Sequence, residues 1–332
     1  DDGVPDLLIA AHPLAQERKD GNGLCLVSGK TGATLHRTAI SGSWGRGDWA
    51  SFVADVDHDG VPDMGVLSTD SDKKSARLSI YSGRSGDSIY QMPLGNECGA
   101  SWGGFIEIGD LDGDGRKDFA VLLDGDTFCT AKVRTYSAAK KTKLWEHKAP
   151  RRGEYAHCKL LQLGDLDGDG VRELAVSFFE SVEILRGKTG EVLCRYESPN
   201  KTAGSTGYGY ALAILGDIDG DGFSDFAVSD TEAGMMTNGV VYAYSAKQGT
   251  EIWKTRTEGQ DELIHFGWMM AALGDVNGDG VSDLIVGCWA GDAAQPGLAR
   301  VISGKSGVLI CEYRRDGDEV VLTRRNNVEE PR

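Results

Sequence analysis

One nine-residue pattern recurs five times along the chain, at intervals of 55, 55, 52 and 58 residues. It carries acids at positions 1, 3, 5 and 9, with one amide exception, and glycine at position 6. The copies start at Asp55, Asp110, Asp165, Asp217 and Asp275, and the clearest reads Asp110-Leu111-Asp112-Gly113-Asp114-Gly115-Arg116-Lys117-Asp118. A partial sixth copy, Asp2-Gly3-Val4-Pro5-Asp6, opens the chain. A single such stretch reads equally well as a solvated turn. Five in phase mean that the chain is an array of one supersecondary unit.

Acids at positions 1, 3 and 5 of a tight loop surround one point. The glycine supplies a backbone angle that other residues avoid, position 7 offers its carbonyl and position 9 closes the cage. Ca2+ accepts this crowd of oxygens, whereas Mg2+ keeps its water and demands octahedral geometry. The first candidate site is Asp55, Asp57, Asp59 and Asp63 with the carbonyl of Val61. The second is Asp110, Asp112, Asp114 and Asp118 with Arg116, and the third Asp165, Asp167, Asp169 and Glu173 with Val171. The fourth is Asp217, Asp219, Asp221 and Asp225 with Phe223. In the fifth, Asp275, Asp279, Asp283 and the carbonyl of Val281 are joined by Asn277, which still offers an oxygen. One Ca2+ per complete loop is expected, five in all.

An EF-hand uses the same ligand order, but in a longer loop between two helices. Here the loops are followed by Phe119-Ala-Val-Leu-Leu123, Leu174-Ala-Val-Ser-Phe178 and Asp283-Leu-Ile-Val-Gly287, which fit strands buried on both faces. Apolar runs also precede them, at 160–163, 211–215 and 269–273, so each acidic loop is the tip of a hairpin. A second phrase recurs in phase, Val27-Ser28-Gly29-Lys30-Thr31-Gly32, returning at Tyr81 to Gly86, Arg186 to Gly190, Tyr244 to Gly249 and Ile302 to Gly307, with a degenerate copy at Tyr136 to Thr142. It lies between alternating runs such as 240–244 and 251–254 and reads as a glycine turn. Its Gly-Lys-Thr lacks the spacing and following helix of a phosphate loop.

Each unit is thus four antiparallel strands, and units of this size repeated around an axis describe an all-β propeller. Six blades are expected, or six of a seven-bladed parent, over residues 1–315, with almost no helix. The first unit lacks its leading strand. Glu319 to Thr323, in the tail 316–332, offers the missing innermost strand beside Leu7-Leu8-Ile9, which would close the ring and cover two exposed edges. The chain starts without Met inside an acidic loop, as a trimmed or partial sequence would.

Phe266-Gly267, followed by Leu273-Gly274-Asp275-Val276-Asn277-Gly278-Asp279-Gly280-Val281-Ser282-Asp283-Leu284-Ile285-Val286-Gly287, resembles an FG-GAP repeat. That is the unit of the integrin alpha-subunit propeller and of bacterial FG-GAP/VCBS-type proteins. Tyr208-Gly209 and Trp102-Gly103 begin weaker copies, while Tyr155-Ala156 and Trp49-Ala50 depart at the glycine. The resemblance spans residues 1 to 315 and implies the propeller, the calcium sites and a recognition or adhesion role. Ala246 to Trp253 is also similar to the Trp-docking phrase of quinoproteins, but only Lys143-Leu144-Trp145 repeats the Trp.

The formal net charge is −16, and five Ca2+ would leave −6, so the acidic excess is metal ligand rather than an acidic tail. No basic stripe suits nucleic acid, and no apolar run approaches the ~20 residues of a membrane span. Of seven cysteines, Cys25, Cys194 and Cys311 fall in strands, Cys158 and Cys288 near strand ends, and Cys98 and Cys129 form a candidate disulfide pair in loops of the third blade. Loops of millimolar calcium affinity fill only outside the cell or in a periplasm, which points to export.

Loops opposite the acidic hairpins gather aromatics beside acids such as Asp70, Asp124 and Asp230. Trp44, Trp49, Trp102, Tyr208, Trp268 and Trp289 are the candidate contacts with a protein or glycan ligand, although rings that start a blade also suit packing between blades. A calcium-stabilised recognition module is therefore expected. The alternative is a propeller enzyme acting on polysaccharide, a lyase or hydrolase. No Gly-x-Ser-x-Gly elbow exists, and His157 with Tyr155 and Arg46 is the one grouping that such chemistry could use.

Overall fold

Short apolar runs set off by glycine turns form 24 strands, with no helix among the described residues. The computed structural model describes residues 3–11, 23–39, 49–70, 75–96, 104–123, 130–150, 158–178, 180–199, 207–231, 239–256, 265–288, 298–316 and 319–324. The chain divides into two compact units, residues 1–156 and 157–332. Each carries three antiparallel sheets.

The first unit holds three sheets. They are β1 (Leu7–Ala11), β2 (Gly23–Val27) and β3 (Thr34–Ala39), then β4 (Trp49–Val53), β5 (Asp63–Asp70), β6 (Ser75–Tyr81) and β7 (Ser88–Asn96), then β8 (Gly104–Glu107), β9 (Phe119–Leu123), β10 (Lys132–Tyr136) and β11 (Lys143–Lys148). The second unit holds β12 (Leu160–Gln162), β13 (Leu174–Phe178), β14 (Ser181–Leu185) and β15 (Val192–Glu197). Next come β16 (Tyr208–Ile214), β17 (Phe226–Asp230), β18 (Val240–Tyr244) and β19 (Glu251–Arg256). Its last sheet is β20 (Phe266–Gly274), β21 (Asp283–Cys288), β22 (Leu298–Ile302), β23 (Leu309–Asp316) and β24 (Glu319–Arg324). Every sheet is a meander of strands in chain order, the blade of a β-propeller, and the all-β class with six blades is the class expected.

Middle strands are apolar because sheets cover them on both faces. β9, β13, β14, β17 and β18 are buried at every position. Leu78, Ile80 and Met92 of one blade pack on Phe105, Phe119 and Val121 of the next, and Ile184 and Tyr196 on Phe226 and Tyr242. Each such side chain contributes about 1.5–3 kcal/mol through burial.

The strand that follows a blade's glycine turn (β3, β15 and β19) also hydrogen-bonds to the glycine turn of the next blade. Thr38 Oγ1 donates to the Gly86 carbonyl at 2.9 Å, Tyr196 Oη to Ser245 at 3.2 Å and Trp253 Nε1 to Gly304 at 2.9 Å. The closing glycines of these turns take positive φ, 77° at Gly86 and 70° at Gly307. A methyl group there would lie 2.7 Å from Thr38 Oγ1 or 2.8 Å from the Trp253 ring. The degenerate copy makes the same turn with Lys141 at φ 55°, at the strain that a side chain brings there.

Two blades depart from four strands. The first is β1-β2-β3 alone, and the last has five. The tail segment expected as an innermost strand beside Leu7 to Ile9 instead pairs with β23, from Cys311 opposite Arg324 to Asp316 opposite Glu319. Only Gly317 and Asp318 separate the two strands, and a two-residue connection between strands makes a hairpin.

Candidate metal centres

Each acidic loop is drawn shut by its own backbone. The position-1 carboxylate accepts amide protons from later in the loop: Asp110 from Gly113 at 2.7 Å and Gly115 at 2.7 Å, Asp275 from Gly278 at 2.7 Å and Gly280 at 2.9 Å. These donors, that of Gly115 first at Asp110 and that of Gly280 first at Asp275, hold both carboxyls below the usual range. The position-6 glycines, Gly60, Gly115, Gly170, Gly222 and Gly280, share φ of 86–89°. That turn aims the position-5 carboxylate at the amide of position 7, as in Asp169 to Val171 at 2.8 Å and Asp221 to Phe223 at 2.9 Å. Asp59 meets Val61 at 2.9 Å, Asp114 meets Arg116 at 2.9 Å and Asp279 meets Val281 at 3.0 Å.

Position 9 is fully buried in all five loops, at Asp63, Asp118, Glu173, Asp225 and Asp283. One oxygen accepts the position-2 amide: Val56 at 2.7 Å, Leu111 at 2.8 Å, Ile218 at 2.8 Å and Val276 at 2.9 Å, with Leu166 on Glu173 in the same role. In four loops the other accepts an amide of the same blade's glycine turn, from Gly83, Ala138, Ala246 or Gly304, at 3.0–3.2 Å. Gly29 makes the same bond to Asp6 at 3.1 Å, which aligns the partial first copy with the rest. The two phrases that recur in phase therefore meet at one end of each blade. Serines of the turn add contacts to position 5, Ser245 Oγ to Asp221 at 3.4 Å and Ser303 Oγ to Asp279 at 2.9 Å. The sequence reading left these turn residues out of the site, although their shared phase with the loops was the signal.

Carboxylate oxygens of Asp165, Asp167, Asp169 and Glu173 lie within 4.8 Å of one another, as do those of Asp55, Asp57 and Asp63, of Asp110, Asp112 and Asp118, and of Asp217, Asp219 and Asp225. In the fifth loop the Asn277 amide donates to Asp279 at 2.9 Å and to Asp283 at 3.4 Å, relieving repulsion that a fourth carboxylate would add. Burial, then neighbouring acids, pushes the position-9 carboxyls up, Asp225 to about 6. Asp63, Asp118, Glu173 and Asp283 shift the same way, with burial the largest cause. Asp112 Oδ1 and Glu173 Oε1 are buried without a hydrogen-bond partner. Clustered, desolvated and partly unsatisfied carboxylates fit a hard cation, and these clusters could hold a metal.

The candidate ligand contacts are spread over different blades. Trp49 is 45 % exposed, with its ring 3.7 Å from where a side chain on Gly104 would begin. Trp268 is half-buried against Tyr210, ring centroids 4.3 Å apart, and His265 at 5.6 Å. Tyr208 is buried, its hydroxyl 3.1 Å from that of Tyr244. Trp44, Trp102 and Trp289 lie outside the described residues, as do Arg46, Tyr155, His157 and the pair Cys98 and Cys129. Cys25, Cys194, Cys288 and Cys311 are free thiols. Among the described residues no helix is long and apolar enough to cross a membrane.

No protein-family model matches the chain. It is 26% identical to integrin alpha-V of Gallus gallus over 237 residues, 65% of this chain and 23% of that protein. It is 25% identical to integrin alpha pat-2 of Caenorhabditis briggsae over 254 residues, 74% of this chain and 18% of that protein. With integrin alpha-7 of Rattus norvegicus it shares 32% over 147 residues, 40% of this chain and 13% of that protein. The chain thus spans less than a quarter of the length of each of these relatives. Repeat, blades and similarities together make the chain an integrin alpha-like FG-GAP propeller.

Proposed function

We propose that this chain is a calcium-binding, extracellular adhesion module that recognises a protein or glycan ligand. The observation that carries the reading is the set of five in-phase acidic loops, each closing on a buried position-9 carboxylate, in a chain similar to integrin alpha subunits. Four acids and a carbonyl per loop, or three acids, an amide and a carbonyl in the fifth, suit the coordination number of Ca2+ better than the octahedron of Mg2+. Export supplies the calcium that such loops need. Recognition rather than catalysis is assigned on the similarity to integrin alpha subunits, and the Ser245–Asp221 and Ser303–Asp279 pairs are read as parts of the acidic loops. Trp49 and Trp268, each toward the strand end away from its own blade's acidic hairpin, are the described rings offered to a ligand.

The test is binding of the purified chain to a glycan array and to a panel of extracellular proteins, in calcium and in chelator, with metal content measured by elemental analysis. Five bound calcium ions and a calcium-dependent ligand, weakened by Trp49→Ala at the 45% exposed ring, are expected. Zero bound calcium, or turnover of a polysaccharide at enzyme-like rates, would overturn the reading.

A further inference from the structure

The acidic loops are alike in ligand order but not in the cations beside them. Arg84 Nε lies 3.2 Å from Asp59 Oδ2 and its Nη2 donates to the Asp59 carbonyl at 2.7 Å. Lys140 Nζ lies 2.9 Å from Asp112 Oδ2. Arg186 is bonded to Asp167 Oδ2. All three come from the glycine turn of the blade that owns the loop, yet from different places in it. Arg84 follows the turn's second residue, Gly83, whereas Arg186 is the turn's first residue, aligned with Ser82. Lys140 stands one place later than Arg84, immediately before the positive-φ residue. Three different turn positions thus each place a cation on an acid of their own loop, Arg84 on the position-5 carboxylate and Lys140 and Arg186 on the position-3 carboxylate.

The fourth and fifth loops differ. Among the described residues no Lys or Arg is bonded to Asp217, Asp219, Asp221 or Asp225. Lys247, which aligns with Arg84, lies 4.7 Å over the Phe223 ring and donates to the Leu166 carbonyl in the preceding blade's loop. Lys305 reaches the carbonyl of Asp279, at 3.1 Å, not its carboxylate.

We propose that Arg84, Lys140 and Arg186 are built-in counter-ions that set calcium affinity, dividing the sites into a weak class of three, at Asp55, Asp110 and Asp165, and a tight class led by the Asp217 loop. This rests on the calcium reading above. That a cation belongs in the loops is indicated separately by Glu173 Oε1, buried and without a partner inside the cluster of Asp165, Asp167 and Asp169. A tethered guanidinium or ammonium holds one carboxylate oxygen and repels an incoming divalent ion, while it relieves repulsion when no ion is bound. The bare Asp217 loop gains most from Ca2+ and fills first.

The test is calorimetric titration of the chelator-stripped full chain with calcium chloride. Wild type is expected to show two affinity classes. Arg84→Gln, Lys140→Gln and Arg186→Gln, whose side chains are 61%, 57% and 38% exposed, are each expected to tighten one weak site by roughly tenfold or more. Each should also lower the melting temperature of the stripped chain. A role in fold alone would lower that temperature without tightening calcium, and this result overturns the proposal. Arg84→Lys, which keeps the charge, is expected to stay weak. Asp219→Asn should remove a tight site and Asp57→Asn a weak one, an arm that does not depend on the cation variants folding. Calcium binding with all sites equal, or loss of a weak site in Asp219→Asn, overturns this proposal and leaves the calcium reading standing. No calcium binding at all overturns both.

Discussion

The backbone amide of Gly83 donates to the fully buried carboxylate of Asp63, 20 residues earlier, at 3.0 Å. The same carboxylate also holds Val56, so one acid ties the acidic loop to the glycine turn. Asp283 does this in the last blade, with Gly304 and Val276. Asp283→Ala would leave the backbone amides of Val276, Asn277 and Gly304 without their acceptor, and is expected to cost about 2–4 kcal/mol in urea denaturation of the metal-free chain. Asp279→Ala should weaken its own cation site and leave distant loops nearly unchanged in a calcium titration.

Chelator should lower the melting temperature of the whole chain. At a calcium concentration about a hundredfold above the dissociation constant, each filled site adds about 2.7 kcal/mol by mass action, and bare carboxylates repel when the ion leaves. Scanning calorimetry with and without chelator checks this, and an unchanged transition would contradict it.

Asp225 gives a pH dependence with a definite sign. Its carboxyl is raised from 3.8 to about 6, so over that range the metal-free fold binds a proton that the unfolded chain releases. Stability of the metal-free chain, as far as Asp225 contributes, is therefore expected to fall as pH rises from about 4 to 6. Calcium competes with the same proton. Affinity at the Asp217 loop should drop as pH falls below about 6, which a titration of wild type against Asp219→Asn at several pH values would isolate.

Trp253 staples one blade to the next through its indole N–H on Gly304. Trp253→Phe should cost about 1 kcal/mol for the lost hydrogen bond, and Trp253→Ala about 3–5 kcal/mol for the lost ring. Equal losses in urea denaturation would mean that the bond, not the packing, carries the contact.

β24 is the outer strand of the last sheet, and Val320, Val321 and Leu322 on it are 71%, 42% and 46% exposed. Deleting residues 317–332 is therefore expected to cost less than about 2 kcal/mol, since little apolar surface leaves the interior with it. A ring-closing strand would cost several times more. The melting temperature of the truncated chain separates the two.

Most of the fold was legible because its information is local and repeated. Alternating runs and glycine turns specify meanders, and five copies of Asp-x-Asp/Asn-x-Asp-Gly specify where oxygens converge. The tail segment pairs with β23 rather than lying beside Leu7 to Ile9, because only two residues of sequence separate Asp316 from Glu319, too short a connection for it to reach another sheet. Tyr208 was grouped with ligand contacts on its position at the start of a strand, but position along a strand does not say which neighbouring sheet will cover a ring. The Tyr244 hydroxyl that meets it comes from 36 residues away.

The sequence by itself determined the repeat, the strand pattern and the donor set of each loop, since these depend on residue type and spacing within a few residues. Tertiary structure alone decided that the glycine turn closes onto the acidic loop, that position 9 is wholly buried, and which loops carry Arg84, Lys140 or Arg186 on a carboxylate. Those contacts join residues about twenty or more apart across a blade. Their strength comes from desolvation and charge at a few ångströms, which only the folded backbone sets.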